Sequence, residues 1–368
     1  MIDGNVMSSA VMCMSSYPRS REIIAHGVRA LEWVVHAGAQ DVWKLMVDEG
    51  VGDVIVQALA DHDDDEILAF LASHALPRRL QTLLYLEPAQ SAQSATFPIN
   101  RLRNLAIQHC TTTHYLIMDV DLWPSRTAWR HPSLLVNLMT ELMKLPSVVR
   151  TSPKAAVIVP TFFFNRPAFL EHCFSYTACL LLLHRGLFVI ARALDAYPYD
   201  KTELASCLLT GHCEVGKNNI RTHLYVAPEW FTQSPTVTVS RVKCFVADMH
   251  EPYVLLPRQL STPRFDEHFV NYGYNKVQLI EHLRAAGFQF YIMNNAFMMD
   301  MPHPDSSFRK DYLEGIKGDA LRMHSVFSAF LHRIRDLPAN VTRFPICTRP
   351  MEKYYVPVPC SCLLDNSP

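Results

Sequence analysis

The segment YLIMDVDLWPS, residues 115–125, decides the fold prediction. Its first four residues are apolar, which predicts a short buried strand that stops near Pro124. Asp119 and Asp121 follow directly, and residues i and i+2 of an extended segment point to the same face. Two converging carboxylates suit a hard divalent cation such as Mg²⁺ or Mn²⁺. From this pattern alone, a structural turn is the alternative.

Strands and helices alternate around this segment. Apolar runs predict strands over residues 54–59, 80–86, 115–118, 156–159 and 288–293, and periodic runs predict helices over 101–109, 278–286 and 312–337. The Asp-x-Asp pairs at 61–65 lie in a charged run that we interpret as a solvated helix start. The alternation predicts an α/β fold with a mainly parallel sheet, whose ligands bind beyond the carboxyl ends of the strands.

Composition narrows the function classes. The chain has 368 residues, a formal net charge of −1, 49 % hydrophobic and 19 % charged residues. These values exclude wholesale disorder and argue against nucleic acid as a partner. We expect no membrane span, because the most apolar run, 178–194, is interrupted by charged residues. The start of the chain does not have the pattern of a signal peptide.

Three further groups of residues carry candidate chemistry. Asn100, Arg103 and Asn104 share one face of the helix before the strand. That face is either solvated or in contact with a nucleotide, and Arg103 would then pair with a phosphate or lock a strand-end carboxylate. The aromatic and acidic segments 250–253 and 265–276 suit a sugar-binding wall or an ordinary loop. Asp300 or His303, after a late strand, offers a later metal ligand.

Ten cysteines and one glycosylation sequon at Asn340 leave the compartment open. Cys207 and Cys213 are six residues apart, and no pair has zinc-finger spacing. Buried thiols and one or two disulfides are both compatible with this spacing.

Two long blocks resemble the LARGE-like glycosyltransferases, family 49. The first block joins NRLRNLAI (100–107) to YLIMDVDLWPS. The second joins EPYVLLPR (251–258) to the segment 264–304, which ends in DMPHP, and a shorter likeness lies at DKTEL (200–204). The resemblance covers roughly residues 54–337. It implies a GT-A fold with a mixed, mostly parallel sheet, a Mn²⁺ or Mg²⁺ cofactor, a UDP-sugar donor and a glycan or glycoprotein acceptor.

The resemblance also implies roles for particular residues. Asp119 and Asp121 fall on the family's metal-binding motif, and Asp300 stands where relatives carry a histidine before Met-Pro-His303. Arg103 and Lys276, with Asn100 and Asn104, are candidate donor-binding residues. Asp266 and Glu251 are candidate general bases, with Asp266 preferred.

We therefore expect a metal-dependent transferase that moves glucuronic acid, xylose or a related sugar. The domain would cover residues 51–340, between an N-terminal extension (1–50) and a C-terminal tail (341–368). Two alternatives remain, a non-catalytic glycan-binding or scaffold domain and a metal-dependent phosphoesterase. By family resemblance the location is the Golgi lumen, although the usual N-terminal anchor is missing from this sequence. A soluble cytoplasmic form is the alternative.

Overall fold

The computed structural model describes residues 9–14, 54–56, 97–119, 122–125, 136–165, 200–216, 221–300, 307–315, 319–335, 342–348 and 353–358, with positions 167 and 198. The predicted strand 80–86, the solvated run 61–65, Asp121, His303 and Asn340 lie outside these residues. Within them, no helix is both long enough and apolar enough to cross a bilayer.

Strands in the described part are numbered along the chain. They are β1 (Ser9–Met14), β2 (Val54–Val56), β3 (His114–Asp119), β4 (Leu122–Pro124), β5 (Ala155–Val159), β6 (Thr161–Phe164), β7 (Cys213–Glu214), β8 (Val239–Val242), β9 (Tyr253–Pro257), β10 (Gln289–Met293), β11 (Met298–Asp300) and β12 (Tyr355–Pro357). The α-helices are α1 (Ile99–His109), α2 (Val136–Met143), α3 (Ser147–Arg150), α4 (Lys201–Leu209), α5 (Val277–Ala285), α6 (Ser307–Leu313) and α7 (Asp319–Arg335).

A large mixed sheet forms the centre of the fold. Its eight strands have the order β12-β8-β10-β5-β9-β3-β1-β2. Three of its seven pairings are parallel, namely β1 with β2, β1 with β3, and β5 with β10. The expected α/β class with a mixed, mostly parallel sheet is confirmed, because six of the eight strands run in one direction, although most of the pairings are antiparallel. The reason is that β9 inserts antiparallel between β3 and β5, and that β8 and β12 add an antiparallel edge.

A second sheet of four strands, β4-β11-β6-β7, lies at the carboxyl ends of the first. The chain passes from β3 to β4 across residues 120–121, from β5 to β6 across Pro160, and from β10 to β11 across residues 294–297. Because β3, β5 and β10 all run in one direction, their carboxyl ends meet at this junction. The predicted position for a ligand therefore coincides with the boundary between the two sheets.

Helices α1 and α5 pack apolar residues against the large sheet, as the sequence predicts. Helix α1 buries Leu102 and Ile107, and α5 buries Ile280 and Leu283. The predicted helix over 312–337 is wrong in extent, because it is divided into α6 and α7. Gly315 has a φ of +64°, a left-handed conformation that ends a helix at little cost to glycine.

Two disulfides lie among the described residues, so of the two alternatives that the sequence left open, bridges hold for these four cysteines. Cys207–Cys213 joins α4 to β7, and Cys244–Cys347 closes a separation of 103 residues. Cys110, at the end of α1, is a buried free thiol.

Candidate functional site

Asp119 is the centre of a charged cluster at the end of β3. Its Oδ2 accepts hydrogen bonds from Lys276 Nζ at 2.7 Å and from the Tyr253 hydroxyl at 2.6 Å. Its Oδ1 accepts from Arg103 Nη2 at 3.2 Å. Burial opposes the ionisation of Asp119, but Lys276 and Arg103 outweigh it and hold the pKa of this carboxyl well below its usual range. Asp119 is therefore ionised, with cations on both of its oxygens.

Lys276 is the second fixed charge. Its Nζ contacts the Tyr253 hydroxyl at 2.5 Å and lies 4.4 Å from the centre of that ring. Burial would lower the pKa of Lys276, but the carboxylates of Asp119 and Glu251 raise it above the usual value. Lys276 lies immediately before α5, where the helix dipole disfavours a cation, so these carboxylates are what stabilise its charge.

Asn100 and Asn275 hold Arg103 in place by hydrogen bonds. The Asn100 side chain is fully buried, and its Nδ2 donates to the main-chain oxygens of Asp266 and Asn275 at 2.9 and 3.1 Å. Arg103 Nη1 donates to the amide oxygens of Asn100 at 3.1 Å and Asn275 at 3.3 Å. Since Arg103 is only 3 % exposed, its guanidinium locks Asp119, which is one of the two roles predicted for it.

Glu251 lies beside this cluster and pairs with a histidine. Its Oε1 is 3.1 Å from Nε2 of His223, and its main-chain N–H donates to Thr222 O. Burial would raise the pKa of Glu251, but the charge of Lys276 and the hydrogen bond from His223 outweigh it and lower the pKa to about 2. Glu251 is consequently a carboxylate at neutral pH.

The Asp266 carboxylate is held by a different set of partners. One carboxylate oxygen accepts from Arg333 of α7, and the other lies 2.6 Å from His268 Nδ1. The neighbouring Asn104 side chain donates to Phe265 O and to Glu267 Oε1, each at 2.9 Å. Asp266 and Asn104 therefore take part in contacts that join α1, α7 and the loop before α5.

Asp300 ends β11 in the second sheet and is 6 % exposed. Its register partners are Leu122 in β4 and Phe163 in β6. Register partners share a face of a sheet, and the Phe163 ring packs edge-on against His223 at 4.8 Å between centroids. Asp300 is therefore on the same face as the His223–Glu251 pair. Among the described residues, no three His, Cys, Asp or Glu side chains form a metal-binding group.

The structure brings most of the predicted site residues together. Asn100, Arg103, Asp119, Lys276 and Glu251 form one region, whereas Asp266 and Asn104 lie at its edge. Asp121 and His303 lie outside the described residues, and their metal-binding roles stay predictions.

Sequence reasoning missed three side chains of this region. Tyr253, Asn275 and His223 each contact a predicted residue. Tyr253 and Asn275 do lie within the two blocks that carried the family resemblance, and that was the available signal. His223 lies in a short 3-10 turn with no pattern that distinguishes it.

Comparison with known proteins identifies one family. The sequence model described as "Glycosyl-transferase for dystroglycan" matches residues 62–169 and 186–301, which is more than half of the chain. The chain is 29 % identical over 213 residues to xylosyl- and glucuronyltransferase LARGE1 of Mus musculus, covering 57 % of this chain and 23 % of that protein. It is 30 % identical over 213 residues to xylosyl- and glucuronyltransferase LARGE2s of Gallus gallus, covering 57 % of this chain and 23 % of that protein. It is 24 % identical over 248 residues to LARGE2 of Homo sapiens, covering 67 % of this chain and 29 % of that protein.

These alignments span between 23 and 29 % of the relatives' own length. Among solved structures, GalNAc-T7 with UDP, GalNAc and Mn²⁺ aligns with a TM-score of 0.42 and 8 % identity, covering 90 % of this chain and 55 % of that one. Residues 1–349 of TarS of S. aureus in complex with UDP align with a TM-score of 0.36 and 8 % identity, covering 89 % and 71 %.

Proposed function

This chain belongs to the family of glycosyltransferases for dystroglycan, and on that premise we propose that it transfers a sugar from a UDP-sugar to a glycan hydroxyl with the help of a divalent cation. The observation that carries the proposal is the cluster of Asp119, Lys276, Arg103 and Glu251 at the junction of the two sheets. Glucuronic acid and xylose are the first donor sugars to test, because the relatives' names specify them.

The residues present fit a cation at one edge of this cluster. Both oxygens of Asp119 already bind Lys276, Tyr253 and Arg103, so Asp119 suits the role of an anchor better than that of a direct ligand. Asp300 is a carboxylate at the junction, opposite Leu122. Asp121 immediately precedes Leu122 in the sequence. Asp121, Asp300 and His303 are therefore our proposed ligands.

A bound cation would neutralise the diphosphate as it leaves the sugar. The protein's own part is to keep charged groups in fixed positions. Lys276 is the cation that can reach a phosphate or a donor carboxylate, because 15 % of its side chain is exposed whereas Arg103 is enclosed. The Tyr253 hydroxyl contacts the Lys276 ammonium and helps to fix its position.

In an inverting transfer, a carboxylate must remove the proton of the acceptor hydroxyl. We now favour Glu251 over Asp266 for this role, because Glu251 lies beside Lys276 whereas both oxygens of Asp266 are occupied by Arg333 and His268. A pKa of about 2 makes Glu251 a weak base as the structure stands. An anionic diphosphate near Lys276 would offset the ammonium charge and raise the pKa of Glu251 towards a useful value.

The test is a donor screen that measures UDP release by the purified chain with and without Mn²⁺. We expect one UDP-sugar to be turned over only when the cation is present. Lys144→Met, which removes a half-exposed ammonium paired with the buried Glu141, serves as the charge control and should keep the wild-type rate. Equal turnover in Mn²⁺ and in a chelator would contradict the metal dependence.

A non-catalytic glycan-binding domain is the second candidate, favoured by Asp300 at the position where relatives carry a histidine. It predicts no turnover in the donor screen. It also predicts that UDP with Mn²⁺ leaves the melting temperature of the chain unchanged, since a ligand that does not bind cannot stabilise.

For location, we propose an oxidising lumen. Two disulfides in the described residues favour a secretory compartment, because such bridges are rare in the cytosol. Oxidation of Cys244 and Cys347 in protein isolated from cells would support this location, and free thiols at both positions would contradict it.

A further inference from the structure

Tyr272 and Tyr312 form an exposed aromatic pair outside the charged cluster. Their ring centroids are 5.3 Å apart at an interplanar angle of 62°. Tyr272 is 36 % exposed, which is unusual for a large ring in a well-packed loop, and Tyr312 is half-buried on α6. Rings of this kind present an apolar face and a polar hydroxyl at the surface, a combination typical of binding sites.

The loop that carries Tyr272 is held in a costly conformation. Asn271 and Tyr274 have φ values of +57°, and Gly273 has +98°. A positive φ is uncommon for a residue as bulky as tyrosine, and such strain concentrates at binding and catalytic sites. A side chain at Gly273 would put its Cβ 2.5 Å from the Tyr312 ring, so the glycine is what lets the loop approach that ring.

Neighbouring contacts fix the loop rather than leave it mobile. Asn271 exchanges two hydrogen bonds with the main chain of Phe97, at 2.7 and 2.8 Å. The Tyr274 ring stacks on Phe327 of α7 at 4.6 Å between centroids. The surface that Tyr272 shares with Tyr312 is therefore pre-organised, which lowers the entropy cost of binding.

Tyr272 and Tyr312 are close in sequence to residues of the candidate active site. Tyr272 is four residues before Lys276, so their Cα atoms are at most about 14 Å apart. Tyr312 lies on the helix that starts seven residues after Asp300. Each ring therefore lies in the sequence near a residue of the proposed donor site. The acceptor of the transfer must also bind near that site.

We propose that Tyr272 and Tyr312 form the acceptor subsite, where the apolar face of a pyranose ring stacks on the aromatic pair. This assignment rests on the proposed transferase function. The ligand is a carbohydrate because a pyranose has a C–H face that matches an aromatic surface and hydroxyls that match phenols. The Tyr312 phenol hydrogen-bonds Tyr274, and burial first, and then Tyr274 and Tyr272, raise its pKa, so it is protonated at neutral pH.

The experiment compares Tyr272→Ala with Tyr272→Trp, which keeps a ring, and with Leu260→Ala at a fully exposed control position. Methyl xyloside and methyl glucuronide are the probes, measured by saturation-transfer NMR for binding and by transfer kinetics with the active donor. We expect Tyr272→Ala to weaken glycoside binding and raise the acceptor KM about tenfold, with the donor KM unchanged. The tryptophan and Leu260 variants should stay within about twofold of wild type.

The outcomes separate this subsite from the proposed function. Acceptor binding and acceptor KM of a folded Tyr272→Ala that match wild type would overturn the subsite, even if turnover is intact. The same applies if neither probe binds the wild-type chain at millimolar concentration. Glycoside binding that is lost in Tyr272→Ala, in a chain that turns over no donor, would support the subsite while the proposed transferase activity fails.

Discussion

Replacement of Lys276 by methionine tests whether the charged cluster around Asp119 contributes to the stability of the folded chain. Methionine keeps much of the length of the lysine stem, so the change removes mainly the ammonium. Asp119 and Glu251 then lose their nearest cation, although Arg103 and Tyr253 remain on Asp119. Removal of one partner from a buried ion pair costs about 3–5 kcal/mol, and from an exposed pair about 0–1 kcal/mol.

The Lys276–Asp119 pair lies between these limits. The Lys276 side chain is 15 % exposed and that of Asp119 is 31 % exposed, so we expect Lys276→Met to lower the free energy of unfolding by about 2 kcal/mol. The control is Lys144→Met, whose ammonium lies 2.8 Å from Glu141 and whose side chain is 53 % exposed. Its partner Glu141 is buried but keeps a hydrogen bond from Asn295 Nδ2 at 3.1 Å, so this change should cost about 1 kcal/mol, less than Lys276→Met.

The assay is urea unfolding of wild type and both variants near neutral pH, under conditions that keep the disulfides intact. A third variant, Asp119→Asn, and its combination with Lys276→Met complete a double-mutant cycle. Groups in direct contact couple, so we expect an interaction free energy of about 1–2 kcal/mol. The reasoning is refuted if Lys276→Met costs no more than Lys144→Met, or if the cycle shows no coupling.

Three further changes test other parts of the structure by urea unfolding. Glu251→Gln should destabilise by up to about 3 kcal/mol near neutral pH. Because folding lowers the pKa of Glu251 from 4.5 to about 2, the difference from wild type should shrink as the pH falls through this window, and a constant difference would contradict the assignment. Gly273→Ala should cost more than Gly211→Ala, since both have positive φ but only position 273 meets another side chain, and equal costs would argue against the contact. Conversion of both cysteines of the Cys347 bridge to alanine should cost about 5 kcal/mol against about 2 kcal/mol for the Cys213 bridge, because the closed loops differ in length, and the reverse order would contradict the loop-entropy argument.

Local patterns predicted the elements that carry the site. The apolar run before Asp119 is a strand, and the polar face of α1 does carry Asn100 and Arg103. The role of Arg103 was also among the alternatives, because a guanidinium pairs well with either a phosphate or a carboxylate at the end of the next strand. These features depend on residues close in sequence, where periodicity is informative.

Long-range pairing set the features that could not be predicted. Tyr253 reaches Asp119 across 134 residues only because β9 runs antiparallel beside β3. In sequence, Tyr253 is simply the first residue of an apolar run, and such a run is equally compatible with a parallel strand. Asp266 was preferred as a base because no local signal showed that Arg333, 67 residues away, would occupy its carboxylate.

The charge balance of the cluster explains why a cation is part of the proposal. The carboxylates of Asp119 and Glu251 are matched by Lys276 and Arg103, so these four groups carry no net charge in the folded chain. A nucleoside diphosphate would bring further negative charge next to them, and partly buried negative charge is costly without a counter-charge. The ammonium of Lys276 already compensates the charges of Asp119 and Glu251, so it cannot fully neutralise the phosphates as well. In the proposal, the additional positive charge comes from a divalent cation, and Asp300 is the described carboxylate outside the cluster that could bind it at the sheet junction.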